Sequence, residues 1–166
     1  MLSVAHGLTG AYFASLVPDQ PLIYIPAAIA FHFLEDAVPH WDFGTGMRSG
    51  KKSKLLAYSL EIFDLILMAA LIFLLWQHSL ADPFYSPPWT AYFWQQIDWP
   101  IWLGALAGIV VDLLEFPHSA LGLNLPFLKP LHDFHHRIHQ STTNIFFGLL
   151  PQVLVIISII YLVILG

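Results

Sequence analysis

Two short stretches hold most of the reactive side chains in this chain. FHFLEDAVPHWD carries His32, Glu35, Asp36, His40 and Asp42, and LHDFHHRIHQ carries His132, His135, His136 and His139. Imidazoles and carboxylates interleaved at helical spacing, in a chain with no cysteine, suit zinc, manganese or iron rather than a thiolate-loving metal. At about 100° per residue, His32, Asp36 and His40 fall within roughly an 80° arc, with Glu35 beside it. The four later histidines stand at i, i+3, i+4 and i+7 and fill one arc of about 100°. Leu131, Phe134 and Ile138 form the adjacent apolar face, and Asp133, Arg137 and Gln140 the wet one. That pattern predicts a short amphipathic helix at a membrane boundary. Glu61 and Asp64 are three residues apart, as are Asp112 and Glu115, so each pair shares a helix face.

The elements that must position these groups are apolar. Of 166 residues, 57% are hydrophobic and only 10% charged, and the mean hydropathy is +0.68. A soluble domain has about 25% charged residues, so this chain is expected in a bilayer. A net charge of -5 and the absence of a basic stripe exclude a nucleic-acid binder. Five apolar segments are expected: Leu2 to Val17, Leu22 to Val38, Leu55 to Trp76, Ile101 to Phe116 and Ile145 to Leu165. The first is short for a span, tilted or partly interfacial. It lacks a basic start and an A-x-A-like cleavage site, so it reads as a first helix rather than a signal peptide. Pro39 ends or kinks the second, Pro117 follows the fourth, and Pro151 kinks the fifth. Ser141, Thr142, Thr143 and Asn144 are N-cap candidates for the fifth. The fold class expected is all-α: one integral membrane domain over residues 1–166, a bundle of about five spans plus the amphipathic interfacial helix.

Arg48, Lys51, Lys52, Lys54, Lys129 and Arg137 are all the basic residues, and they lie in two loops that five spans place on one side. The positive-inside rule makes that side cytoplasmic, with the N-terminus inside, and puts the Pro87-Pro88-Trp89 loop opposite. On this topology His6, Asp112, Glu115, His118 and the two stretches above converge near the cytoplasmic face; His78 alone among the histidines does not. Glu35, Asp36, Glu61, Asp64, Asp112 and Glu115 lie in apolar segments that hold no Lys or Arg. An ionised Asp at mid-membrane costs about 2.5–3.5 kcal/mol on insertion scales. Protons, His⁺ or a divalent metal must offset that cost. The metal candidates are His6, His32, Asp36, Asp112, His132, His135, His136 and His139, with Glu35 or Glu115 as general base. Plainer readings compete: His6 and His118 as helix-end polar groups, Glu61 as an acid near water, Asp42 as a turn former, and the four histidines as a pH-sensitive surface.

These motifs resemble a family. An early His in AHGLTGAYFA, then FHFLEDAVPHWD, then an acid-bearing helix and HDFHHRIHQ are similar to the small membrane-bound metal-dependent hydrolases of the LexA-regulated inner-membrane type. VPHWD stands where that family has a Pro-Asp-x-Asp element, with His40 replacing the first Asp; His136, Arg137 and His139 resemble its His-Arg-x-x-His element with one residue rather than two between Arg and His. The resemblance implies a bacterial inner-membrane protein with a divalent metal, zinc before manganese or iron. It implies a hydrolase; a site at headgroup depth on the cytoplasmic face makes a lipid-linked ester or phosphoester the expected substrate class and membrane lipids the expected partners. Two alternatives stand beside it. LHDFHH is one H-x-x-H-H element of the kind found in di-iron lipid oxidases and hydroxylases, although His32 to His40 has the wrong spacing for a second. The other alternative is a non-enzymatic metal- or proton-binding membrane protein.

Overall fold

The computed structural model describes residues 1–45, 51–77 and 97–165, apart from the side chain of Ala120. Arg48, His78 and the Pro87-Pro88-Trp89 loop lie outside the described residues. Six α-helices account for the described architecture: α1 (Ser3–Leu16), α2 (Pro21–Asp36), α3 (Lys54–Ile72), α4 (Trp99–Leu121), α5 (Lys129–Ile138) and α6 (Ile145–Leu165). A π-helical turn, Phe73–Gln77, extends α3, and a 3-10 turn, Pro126–Leu128, leads into α5.

The shortest of the apolar helices is the centre of the bundle. In α1, Val4, Ala5, Leu8, Ala11 and Ala14 are all buried, and α2, α3, α4 and α6 pack around it. A helix that is apolar on every side belongs in a core. Small residues let its neighbours come close. A Cβ on Gly10 would lie 2.0 Å from the carbonyl oxygen of Gly104, and one on Gly108 would lie 2.2 Å from that of His6. The backbones of α1 and α4 therefore touch along the GALAG run at 104–108, a small-xxx-small seam that holds His6 beside the later part of α4.

Among the described residues three helices are long and apolar enough to cross a membrane: Lys54–Gln77, Trp99–Ser119 and Ile145–Leu165. In the first and last only 17% of the apolar window is buried within the protein, so Ile62, Phe63 and Ile66 of α3 and Leu154, Ile157 and Tyr161 of α6 present apolar surface outward. Apolar faces of that extent belong against lipid. At 14 and 16 residues, α1 and α2 are shorter than the roughly 20 that cross a hydrocarbon core.

Helix ends follow local chemistry with one departure. α2 stops before Pro39, since a residue ahead of proline avoids the helical region. Ser53 Oγ accepts from Leu56 N at 3.2 Å and starts α3; Asn144 Oδ1 accepts from Phe147 N at 3.2 Å and starts α6. The expected end of the fourth segment at Phe116 is overturned. α4 runs through Pro117 to Leu121 and closes on Gly122 at φ +67°, whose N–H bonds the carbonyl of His118. So near the helix end, the proline N–H that is missing removes a single helical bond.

Candidate metal centre

Asp36, in the last turn of α2, is fully buried and is the hub. Its Oδ2 lies 2.6 Å from His135 Nε2 and 3.4 Å from His32 Nε2. Its Oδ1 lies 3.2 Å from His6 Nε2, 3.6 Å from His40 Nε2 and against the α-amine of Met1. α1, α2, α5 and the segment after α2 each bring a histidine to one carboxylate. Asp112 of α4 adds its Oδ1 at 3.7 Å from His32 Nε2, and His139 its Nε2 at 3.0 Å from His40 Nε2.

Each of the four histidines around Asp36 is turned the same way. His32 Nδ1 donates to the carbonyl of Gly108 at 2.8 Å, and His40 Nδ1 to the carbonyl of Val38 at 2.8 Å. His6 Nδ1 donates to Glu35 Oε2 at 2.6 Å, and His135 Nδ1 to Glu115 Oε1 at 2.8 Å. Carbonyls and carboxylates only accept, so each Nδ1 carries a proton and the Nε2 atoms face Asp36, His135 Nε2 itself donating to Oδ2 at 2.6 Å while it is charged. Metal-binding histidines have this arrangement: the outer N–H is anchored, which fixes the tautomer and the ring plane. Glu35 is itself held by Thr9 Oγ1 at 2.5 Å.

Whether these residues fit a cation is decided by charge and by an unpartnered nitrogen. Among the described residues the one Lys/Arg ion pair is Lys129–Asp133, on the surface. Among the described residues the site carboxylates have no Lys or Arg partner, and the one cationic group beside Asp36 apart from the imidazoles is the Met1 α-amine. His32 Nε2 is buried with no hydrogen-bond partner, at the centre of the cluster. Buried polar atoms are ordinarily satisfied, and a lone pair aimed at Asp36 and Asp112 is satisfied by a shared cation. Two sets of donors lie close enough to hold one: His32, Asp36, Asp112 and His135, and Asp36, His40 and His139, with ligand atoms within 4.8 Å of one another in each. On α5, outside the membrane-length helices, burial opposes charge on His135, but its bonds to Asp36 and Glu115 outweigh burial and raise its pKa to about 9. Burial and the nearby α-amine lower His40 to about 4, despite its bond to the Val38 carbonyl, which keeps it a neutral donor.

The remaining predicted residues are dispersed. His132 packs on His118 with ring centroids 5.1 Å apart, away from Asp36, and His136 is exposed. The expected four-histidine stripe fails for two reasons. His136 stands about 100° round the helix from His135, and His139 lies past the end of α5 in extended conformation. Backbone bonds bring His139 in. Gln140 N donates to Asp36 O at 2.9 Å, His40 N to Gln140 O at 3.0 Å and Thr142 N to His40 O at 2.7 Å, which lays residues 139–142 along residues 36–41. His40, absent from the predicted ligand set, belongs to the centre. Its position on the arc with His32 and Asp36 was the available signal.

Glu61 and Asp64 do other work. Asp64 Oδ2 accepts from Val4 N at 3.2 Å and Glu61 Oε1 from Ser3 Oγ at 2.5 Å, while Gln152 Oε1 accepts from Leu2 N at 2.6 Å. The first N–H groups of a helix have no partner within it. These side chains supply partners where water is excluded.

Over the described residues the chain is thus all-helical, with three membrane-length helices and, at one end of the bundle, a buried His/Asp cluster that could hold a metal ion. Comparison with family models, with curated proteins and with solved structures finds no match to it.

Proposed function

We propose that this is a membrane-embedded metal-dependent hydrolase, with its site at the cytoplasmic headgroup level and a lipid-linked phosphoester or ester as substrate. The observation that carries the reading is the common orientation of His6, His32, His40 and His135: Nδ1 anchored, Nε2 on Asp36. His32, Asp36, Asp112 and His135 would hold the ion, with zinc, manganese or iron suited to the donors. A divalent metal there supplies an acidified water and polarises a phosphoryl or carbonyl oxygen. Glu35 and Glu115 position His6 and His135. The side of the cluster bearing Asp112, Glu115 and His139 is partly exposed, which gives a substrate an approach. Lys51 and Lys52 precede α3, Lys54 begins it, and Lys129 and Arg137 lie on α5, so basic residues flank the same end of the bundle. They favour an anionic headgroup and, by the positive-inside rule, a cytoplasmic site in a bundle where α1 and α2 complete five membrane segments.

Protein purified in detergent without added metal, assayed by elemental analysis and then against short-chain phosphatidic acid and a neutral lipid ester, tests this. Stoichiometric metal and ester cleavage that EDTA removes and one metal restores are expected. Absence of metal binding overturns the reading. The full burial of Asp36 and His40 favours a second reading, a structural ion. Metal that raises the melting temperature while no ester is cleaved would select it.

A further inference from the structure

The two oxygens of Asp36 face different partners. Oδ2 meets His135 and His32, with Asp112 behind His32; Oδ1 meets His6 and His40, with His139 behind His40. The two donor sets that could each hold an ion have Asp36 alone in common. His40 Nδ1 is committed to Val38, so its Nε2 presents a lone pair, which the Met1 α-amine meets at 2.9 Å, and His139 Nε2 stands 3.0 Å away. A second carboxylate, Asp42, lies 3.7 Å from His139 Nε2 and 3.9 Å from His40 Nε2. Together the two sets offer more donors than one four-coordinate ion uses. The unpartnered, buried Nε2 of His32 belongs to the first set, and the close His40–His139 pair belongs to the second.

From this arrangement we infer that the centre holds two divalent transition-metal ions bridged by the Asp36 carboxylate. One is held by His32, Asp112 and His135, the other by His40 and His139. The inference rests on the metal reading above and narrows its substrate class: ion pairs about 3.5–4 Å apart suit in-line displacement at phosphorus, so phosphoesters are preferred to carboxylic esters.

The full chain in detergent, stripped with EDTA and titrated with Mn(II), decides it by metal analysis and electron paramagnetic resonance. The parent is expected to saturate at about two ions per chain with a spin-coupled signal. His139→Ala and Asp112→Ala remove partly exposed groups from opposite sets. Each is expected to bind one ion with an uncoupled signal. Saturation of the parent at one uncoupled ion overturns the pair and leaves the metal reading standing, whereas no bound ion overturns both. Two coupled ions in His139→Ala would overturn the ligand assignment. The parent measurement does not depend on any variant folding.

Discussion

Glu35 and Asp36 on α2, and Glu61 and Asp64 on α3, are the same chemical groups on two helices that both pack against α1. Asp36 and Asp64 are both buried. What differs is the part of α1 each pair meets. The α2 pair faces the His6 ring one turn into α1 and gathers three more imidazoles around Asp36. The α3 pair meets the start of α1, where Val4 N and Ser3 Oγ donate to it. A buried carboxylate must be satisfied. Groups that can exchange a proton for a metal make one pair a candidate reactive centre, and fixed backbone donors make the other a helix cap.

The sharpest way to break that comparison is to neutralise each side. Asp36→Asn is expected to abolish metal binding, read by elemental analysis, because the bridging charge is gone while the shape stays. Next in size is Gly108→Ala. Its Cβ would meet the His6 carbonyl at 2.2 Å, so α1 and α4 must separate. Overpacking of this kind costs about 1–3 kcal/mol, and both a lower melting temperature and weaker metal binding are expected. Glu115→Gln keeps the shape but weakens the anchor on His135. A loss of roughly 10–100-fold in metal affinity, measured by chelator competition, is expected for such an outer partner; unchanged affinity would remove Glu115 from a positioning role.

The metal-free protein has its own pH signature. His135 is raised from 6.5 to about 9, so the stabilisation from its charged form is complete below about pH 6.5 and is lost as pH rises through about 9. Melting temperature after EDTA treatment should fall over that window, while the metal-loaded protein, with His135 already deprotonated, should not show the same fall. The smallest effect falls on the cap. Asp64→Ala should cost about 1 kcal/mol of stability and leave metal stoichiometry untouched. A loss of metal in that variant would erase the distinction between the two acid pairs.

Much of this was legible in the chain itself. Composition required a membrane environment, the apolar runs located each long helix to within a few residues except at Pro117, and Ser53 and Asn144 behave as caps. His6, His32, Asp36 and Asp112 could be selected because a carboxylate in an apolar run has to be offset by something. The GALAG seam was also present to be read: glycines four apart in an apolar segment permit backbone contact.

Other features had no local signal. LHDFHHRIHQ presents four equivalent-looking histidines, but only His135 reaches Asp36 from within α5. His139 gets there because its backbone leaves the helix and runs along residues 36–41. Helical periodicity assigns faces within one element and carries no information about where that element ends against another. Residue types and spacing therefore determined which groups could hold a cation. The division of Asp36 into two sides, the inclusion of His40, and the split between a candidate metal centre and a helix cap were decided by packing. They depend on which helix ends meet around α1, a contact between residues dozens of positions apart that no local pattern encodes.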